Sequence, residues 1–289
     1  MISNRTLRSL AWVLSLCLLI VFAAACGQAD NGKNQSAADG WDKIKKRGTL
    51  VIGTSGTLYA SSFHEEGSNK LTGYDVEVAR EIAKRLGLKA QFKEMDFDAM
   101  LPSIKSGKID IAANDIGVTA ERKKSFAFSV PYKYSYGTAI VRKKDLSGIK
   151  SLKDLKGKKA AGAATSIYSQ IAKKFGATIV TYGNVTNDVY LKDVALGRTD
   201  VILNDYYLQK LALEAYPNLN LVIHPNIKYN LSATAIVMGK NQTELQKHIN
   251  KALRAMKQDG TLAKLAKKFY HADVSKKPHM HIQEIKLDK

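Results

Sequence analysis

The chain has six histidines, His64, His224, His248, His271, His279 and His281, and only the last two stand close together, as His279-Met280-His281. Two imidazoles in a polar stretch fall short of the three or four convergent ligands a bound metal needs, and a solvated tail accounts for them. Both cysteines, Cys17 and Cys26, lie near the start, so the rest of the chain has no thiol nucleophile and no disulfide framework. A Gly-x-Ser-x-Gly elbow and a phosphate-binding glycine loop are both missing from the sequence. These residues point away from covalent, metal and cofactor chemistry and toward recognition by charge and hydrogen bonds. No cofactor is expected.

The 289 residues suit one large domain or two of medium size. A hydrophobic content of 45% with 25% charged residues is that of a globular protein and excludes a disordered, collagen-like or polytopic membrane chain. Lysine and arginine number 45 against 26 acids, a formal charge of +19. Nucleic acid is not the expected partner, because the lysines are scattered and no nucleic-acid motif is present; an exported basic protein meets anionic lipid and wall polymer first. Export is indicated by Arg5 and Arg8 followed by the apolar run Leu10 to Ala25, which is short for a membrane span and suited to a signal-peptide core. The run ends in Ala23-Ala24-Ala25 before Cys26-Gly27 and resembles the lipobox of bacterial lipoproteins, with Ala23 where that box prefers leucine. The resemblance implies loss of residues 1–25 and a lipidated Cys26 on the extracytoplasmic face of the cell membrane; the competing reading is a plain secretory signal cut near Ala25. Residues 26–44 are expected to be the lipidated cysteine and a flexible tether, small and polar through Gly40.

The folded part alternates strand and helix. Thr49 to Gly53, Ala90 to Met95 and Ile109 to Ala113 are predicted strands. Between them lies a helix with Asp75 as N-cap and Val78, Ala79, Ile82, Ala83 and Leu86 on one face, then a shorter one capped by Asp96. After Val141 the pattern restarts, with strands at 158–163, 177–182 and 200–203 and helices at 167–175, 187–196 and 206–216. Strands at 219–223 and 231–238 follow, then a helix with Asn241 as cap and Glu244 in capping-box spacing, and a last helix from Thr261 to Tyr270. Residues 272–289 are polar and predicted as a tail. The order indicates an α/β protein of two units whose strand ends would face a shared cleft, a common place for a small-molecule site. Asn114 and Asp115, which follow a strand, are expected to face it.

Several stretches resemble bacterial ABC-importer binding proteins for polar amino acids: Gly48 to Thr54, Leu71-Thr72-Gly73-Tyr74-Asp75-Val76-Glu77-Val78-Ala79, Leu101 to Asp110, Thr119-Ala120-Glu121-Arg122-Lys123-Lys124, Phe128 to Tyr132, and Gly197-Arg198-Thr199-Asp200. The likeness runs in order from about residue 45 to 271. Within the family, Tyr132 to Arg142, Gly157 to Thr165 and Tyr190 to Leu208 are most similar to the L-cystine-binding lipoproteins of Gram-positive bacteria. The resemblance implies a type II periplasmic-binding-protein-like fold: lobe 1 from residues 45–134 plus 232–271, lobe 2 from 139–227, joined by two hinge strands. It corrects the sequential division into two units. It also implies no enzyme, although some relatives of this fold are dehydratases. The expected partners are an amino acid, cystine first with glutamine or the basic amino acids as alternatives, and the membrane subunits of a permease. A monomer is expected.

An amino acid offers a carboxylate and an ammonium on one carbon, and the resemblance assigns a partner to each. Arg122, in the Thr-x-Glu-Arg motif, implies the grip on the carboxylate; Thr119 is read as a helix cap rather than a contact. Asp205 implies the ammonium partner, with an N-cap as its competing or additional role and Asp200 as a nearby competitor that opens the strand. Thr165 and Ser166, before the helix at Ile167, imply a carboxylate-binding loop at a helix N-terminus. Thr165 stands where many relatives have glycine, and Gly117, where relatives often have Ser or Thr, can offer only its backbone N–H. Leu58 and Ser61 occupy the places where many relatives have aromatics that sandwich the ligand; Tyr59 is the expected substitute, and Phe63 reads as core. Asp115 is an additional acid, suited to the second ammonium of cystine or to a basic side chain. Tyr168 and Asn204 are further candidates for the second half of a cystine.

Overall fold

The computed structural model describes residues 35–287, and Cys26 with the signal-like run lies outside them. The chain folds into two lobes. In lobe 1, strands β1 (Thr49–Thr54), β5 (Lys89–Glu94), β6 (Ile111–Ala112), β7 (Phe126–Phe128) and β14 (Val237–Gly239) form a sheet in the order β5-β1-β6-β14-β7. Strands β5, β1 and β6 are parallel, while β14 enters antiparallel between β6 and β7; β2 (Thr57–Leu58), β3 (Ser62–His64) and β4 (Leu71–Thr72) form a small antiparallel sheet of their own. A continuous apolar strand such as β1 is what a sheet covered on both faces requires. Helix α2 (Tyr74–Arg85) covers one face with Val78, Ala79, Ile82 and Ala83, all buried, and packs with α8 (Thr243–Gln258) and α9 (Thr261–Tyr270) on Leu50, Ile52 and Ile111. Helix α3 (Phe97–Lys105) covers the other, setting Met100 and Ile104 against Val51, Ala112 and Val237.

Lobe 2 is built on β8 (Lys133–Arg142), which pairs antiparallel with β11 (Ile202–Asp205) on one side and β12 (Leu221–Ile223) on the other. The parallel pair β9 (Lys159–Ala161) and β10 (Thr178–Val180) joins through a bridge from Ala160 to Val201. Helices α5 (Ile167–Lys174), α6 (Asn187–Ala195) and α7 (Tyr206–Ala215) pack around this sheet. The first half of β8 pairs with β13 (Tyr229–Thr234), from Lys133 opposite Thr234 to Gly137 opposite Tyr229, and this ribbon carries the chain between lobes. The Tyr229 ring lies over Gly137, where an added Cβ would stand 2.3 Å from it.

Several local expectations change. The strand expected at 231–238 divides into β13 and β14, which belong to different sheets, because the chain turns out of the ribbon at Ala235-Ile236 into lobe 1. Asp75 is not an N-cap: Gly73 holds that place, and the Asp75 carboxylate turns into the protein. Helix α8 starts at Thr243 with Gln242 as its N-cap, so Asn241 lies one residue outside. Helix α1 (Gln35–Arg47) occupies the later part of the stretch expected as tether, with Trp41 stacked on His248 at 4.2 Å and Ile44 in the core of lobe 1. Residues 272–287, in the stretch expected as a tail, form no helix yet are held at both ends. Val274 lies in the lobe 1 core and its carbonyl accepts from the Tyr134 N–H at 2.8 Å. Farther on, the Asn230 N–H donates to the Gln283 carbonyl at 2.9 Å, and Ile285 joins the core of lobe 2. The chain therefore passes between the lobes a third time.

Gly73 leaves no room for a side chain in this arrangement. Its φ is +125°, and a Cβ would meet the Ser61 carbonyl oxygen at 2.3 Å. Gly73→Ala is expected to lower stability by about 1–3 kcal/mol, the usual range for forced backbone strain or overpacking. Urea unfolding of the two proteins measures it, and an unchanged midpoint would contradict this account.

Candidate ligand-binding site

A cavity of about 210 Å³ lies between the lobes. Lobe 1 lines it with Ser55, Leu58, Phe97, Asn114, Asp115, Gly117 and Arg122; lobe 2 contributes Gly162, Ser166, Tyr168, Asn184, Tyr190, Asn204 and Gln209. The lobes are closed on each other by hydrogen bonds across the cleft. The Thr57 hydroxyl donates to Asn184 Oδ1 at 3.0 Å, and Asn184 Nδ2 donates to the Ser55 carbonyl at 2.9 Å.

Arg122 projects from the short helix α4 (Ala120–Ser125), whose N-cap is Thr119: its hydroxyl accepts from the Arg122 N–H at 3.1 Å. The guanidinium is almost wholly buried, 5.8 Å from the Phe97 ring centre. Its Nη1 donates to the Gly117 carbonyl and its Nη2 to the Thr165 carbonyl, each at 2.9 Å, so it links the lobes. A guanidinium carries five N–H groups, and those outside these two bonds suit a carboxylate in the cavity.

Ser166 lines the cavity and caps α5, its hydroxyl accepting from the Ser169 N–H at 3.0 Å. Thr165 stays outside the lining and is exposed. Its N–H and hydroxyl donate to Asp98 Oδ1 at 2.9 and 2.6 Å, and the Ala164 N–H donates to Asp98 Oδ2 at 2.9 Å. The loop at the helix N-terminus thus already holds an anion, a side-chain carboxylate supplied by lobe 1. Tyr59 also lies outside the lining: it is 41% exposed and tilts against Phe63, with ring centres 4.9 Å apart. Asn114 lines the cavity while its Oδ1 accepts from the Ser55 N–H at 2.9 Å.

The acids meet around a lysine. Lys133, the first residue of β8, is fully buried, and its Nζ lies 2.9 Å from Asp115 Oδ1 and 2.7 Å from Asp205 Oδ2. Asp205 ends β11, caps α7 by accepting from the Leu208 N–H at 3.1 Å, and sits behind the lining residues Asn204 and Leu208. Asp115 does line the cavity. Its Oδ1 also accepts from the Thr234 hydroxyl at 2.7 Å, which leaves Oδ2 as the oxygen without a hydrogen bond among the described residues. Burial opposes the Lys133 charge, but Asp115 and Asp205 outweigh it and hold the ammonium above the ordinary lysine range. Burial pushes the Asp205 carboxyl up, against the pull of Lys133. The two short contacts favour the ionised pair, because an ammonium between two carboxylates is stabilised by both.

Asp75 supports this cluster from below. It accepts from the Ser61 hydroxyl, the Tyr132 hydroxyl and the Asp115 N–H, and so fixes the backbone of Asp115, whose φ is +50°. Burial first, and then the nearby Asp115, push its carboxyl up to about 6.

Of the residues expected from the sequence, Arg122, Gly117, Asn114, Asp115 and Ser166 come together on the cavity, Asp205 stands one layer behind, and Thr165 and Tyr59 lie off it. Sequence reasoning missed Lys133, Asp98, Asn184 and Asp75. Lys133 did carry a signal: a lysine inside the aromatic run Tyr132-Lys133-Tyr134 falls on a buried strand position, and a buried lysine needs a carboxylate. Asp98 and Asn184 act across the cleft and leave no local pattern.

The family model for bacterial extracellular solute-binding proteins, family 3, matches residues 50–272. The Bacillus subtilis protein described as a probable ABC transporter extracellular-binding protein, YckB, is 58% identical over 91% of this chain and 92% of its own length. Its crystal structure superposes with a TM-score of 0.68 over 85% of this chain and 99% of that one, at 62% identity. The L-cystine-binding protein TcyA of the same organism is 39% identical over 94% of this chain and its full length. An ancestral arginine-binding protein bound to arginine gives a TM-score of 0.70 at 36% identity, covering 78% of this chain and 99% of that chain. This chain therefore belongs to the family 3 extracellular solute-binding proteins. Among the described residues no helix is long and apolar enough to cross a membrane.

The raised Asp75 carboxyl has a consequence for stability. The folded state keeps this proton up to about pH 6, while an unfolded aspartate releases it near pH 4. Between those values the folded state binds more protons, so the contribution of Asp75 is full below pH 4 and is lost as the pH rises through 6. Asp75→Asn is expected to flatten the fall in stability between about pH 4 and 6, which chemical unfolding at a series of pH values measures. An identical slope in both proteins would reject the assignment.

Proposed function

We propose that the protein is the extracellular receptor of an ABC amino-acid importer, that it captures L-cystine without catalysis, and that it delivers it to the membrane permease as a lipid-anchored monomer. The observation that carries the reading is the pairing, in one closed cavity, of a buried guanidinium with spare N–H groups and an acid cluster whose Asp115 Oδ2 is open. In this reading Arg122, with Ser166 and the Gly117 N–H, holds the ligand carboxylate. Asp115, backed by Asp205, holds the ammonium; Asn114 positions the first lobe's edge, and Thr165 acts through its carbonyl on Arg122. Tyr59 is left at the rim.

The likeness to TcyA supports cystine. So does the reach of the cavity past one zwitterionic end to Tyr182, Asn184 and Tyr190, room for a second polar end. A basic amino acid is the competing ligand, supported by Asp96 and Asp98 on the cavity wall and by the arginine-bound neighbour. Cys26 as a twice-acylated residue would anchor the chain, since one acyl chain alone binds marginally.

A thermal-shift screen of the twenty amino acids and cystine is expected to give its largest shift with cystine, since ligand at 100 times its dissociation constant stabilises by about 2.7 kcal/mol. Calorimetry with Arg122→Ala is expected to show affinity reduced by about 2–5 kcal/mol, the loss of a desolvated charge partner. A large shift with arginine or glutamine and none with cystine would reject the ligand; an unaltered dissociation constant in the variant would remove Arg122 from the site. Cys26→Ser is expected to appear in the culture medium instead of the membrane fraction, as blotting of the fractions would reveal. Mature protein still in the membrane would rule out the anchor.

A further inference from the structure

We propose that the outer face of α8 and α9 is a docking surface for an anionic lipid membrane. The face belongs to lobe 1 and is the side of these two helices turned away from the sheet. Its role is separate from that of the cleft.

Helix α8 buries Leu245, Ile249, Ala252, Leu253 and Met256 on one side. On the opposite side Lys247, Lys251, Arg254 and Lys257, all exposed, follow at steps of four, three and three residues, which is one stripe of a helix. Helix α9 repeats the plan. Leu262, Ala266 and Tyr270 are buried, and its three exposed residues are Lys264, Lys267 and Lys268. The two helices pack on the same face of the sheet, so the fold gathers into one surface lysines that are spread along the sequence. Helix α1 lies alongside, with Trp41 stacked on His248 of α8, and adds exposed Lys45 and Lys46 against Asp42.

Few acids oppose this charge. Glu244 lies 2.7 Å from Lys247, and Asp259, between the helices, lies 2.8 Å from Arg85 of α2. Glu77 and Glu81 of α2 are held by Arg80 and Arg85 of the same helix, and Asp273, just past α9, lies 3.2 Å from Lys276. Lys251, Arg254, Lys257, Lys264 and Lys267 have no ion pair among the described residues.

Helix stability does not account for the stripe. A cation in the last turn of a helix complements its dipole, but Lys247 and Lys251 stand in the first half and near the middle of α8. Like charges three or four residues apart weaken a helix, and Lys247 with Lys251, Lys251 with Arg254, and Lys264 with Lys268 are such pairs. An external anionic surface relieves that repulsion. Cations on the exposed side of amphipathic helices are what a layer of anionic headgroups attracts, each adding about fivefold to the affinity when held near the surface. The family is extracellular, so the outside of a membrane is within reach. With the anchor proposed for Cys26, α1 is the first described element after it, which brings this side to the bilayer; the cationic face itself does not depend on that anchor.

The test is co-sedimentation with vesicles of phosphatidylglycerol and phosphatidylcholine in equal parts, and with phosphatidylcholine alone. The protein is the chain from residue 26 on, which includes every described residue, with Cys26→Ser so that no acyl group binds lipid by itself. It is expected to bind the mixed vesicles at about 0.1 M salt, to come off at about 1 M, where the screening length falls from about 10 to about 3 Å, and to leave the neutral vesicles alone. Lys251→Gln, Arg254→Gln and Lys257→Gln together are expected to cut the affinity about a hundredfold. The triple variant Lys264→Gln, Lys267→Gln and Lys268→Gln carries the same expectation and serves should thermal unfolding show that the first does not fold. Removing as much charge from lobe 2, with Lys143→Gln, Lys144→Gln and Lys153→Gln, is expected to change the affinity less than about fivefold, since those side chains are held away from the surface by more than a screening length. An equal loss in the lobe 2 variant assigns the binding to net charge and overturns the proposal. An unchanged affinity in the folded face variants overturns it as well. A chain that ignores the mixed vesicles but binds a soluble glycerol-phosphate polymer overturns the lipid in favour of a wall polymer.

Discussion

The interior of this protein holds an ammonium, Lys133, between two carboxylates that belong to different lobes. Taking such charges out of water costs several kcal/mol for each ion, and the cost is recovered only where geometry and further hydrogen bonds are good. Much of the surrounding architecture meets that requirement. Thr234 and Asp75 hold Asp115, the first turn of α7 holds Asp205, and Lys133 itself is pinned by the ribbon that joins the lobes. The candidate site and the connection between the lobes are consequently not separate regions: the strand that carries the lysine is also one of the strands that join the lobes.

The same economy appears at the other pole of the cavity. Arg122 touches lobe 2 through the Thr165 carbonyl, and the neighbouring N–H groups of Ala164 and Thr165 are taken by Asp98 from lobe 1. A loop at a helix N-terminus is a ready anion site, and here the anion is a protein side chain. Closure of the lobes is therefore supported by contacts that lie beside the cavity as well as by whatever lies within it.

Most of the fold was legible because its elements have strong local signatures. The face of α2 and the apolar run of β1 follow from periodicity alone. What could not be read from periodicity was topology. Residues 231–238 form one apolar stretch, but its two halves pair in different sheets, and nothing local distinguishes them. At the site, Arg122 and Asp205 were named through a resemblance, and Asn114 and Asp115 also through their position after a strand. Asp75 was misread as a cap because an aspartate ahead of a helical pattern carries that signal whether its side chain turns toward the helix end or, as here, toward Ser61 and Tyr132. Lys133, Asp98 and Asn184 act on partners tens of residues away, and only the folded chain brings them together.

The place of β14 bears on the order in which the chain can assemble. This strand fills the slot between β6 and β7, yet it lies more than a hundred residues after both. The sheet and helices of lobe 2 are built from one uninterrupted stretch that lies wholly ahead of β14. As a chain emerges from its N-terminus, lobe 2 can condense while the sheet of lobe 1 still has an open seam along β6, with unpaired backbone groups of the kind that invite wrong strand partners. The seam closes only when Val237–Gly239 arrive, and α8 and α9, which cover Leu50 and Ile52, come later still. The sheet begun first is thus closed only after the sheet of lobe 2 is in place, and its period of vulnerability is set by the length of the insertion.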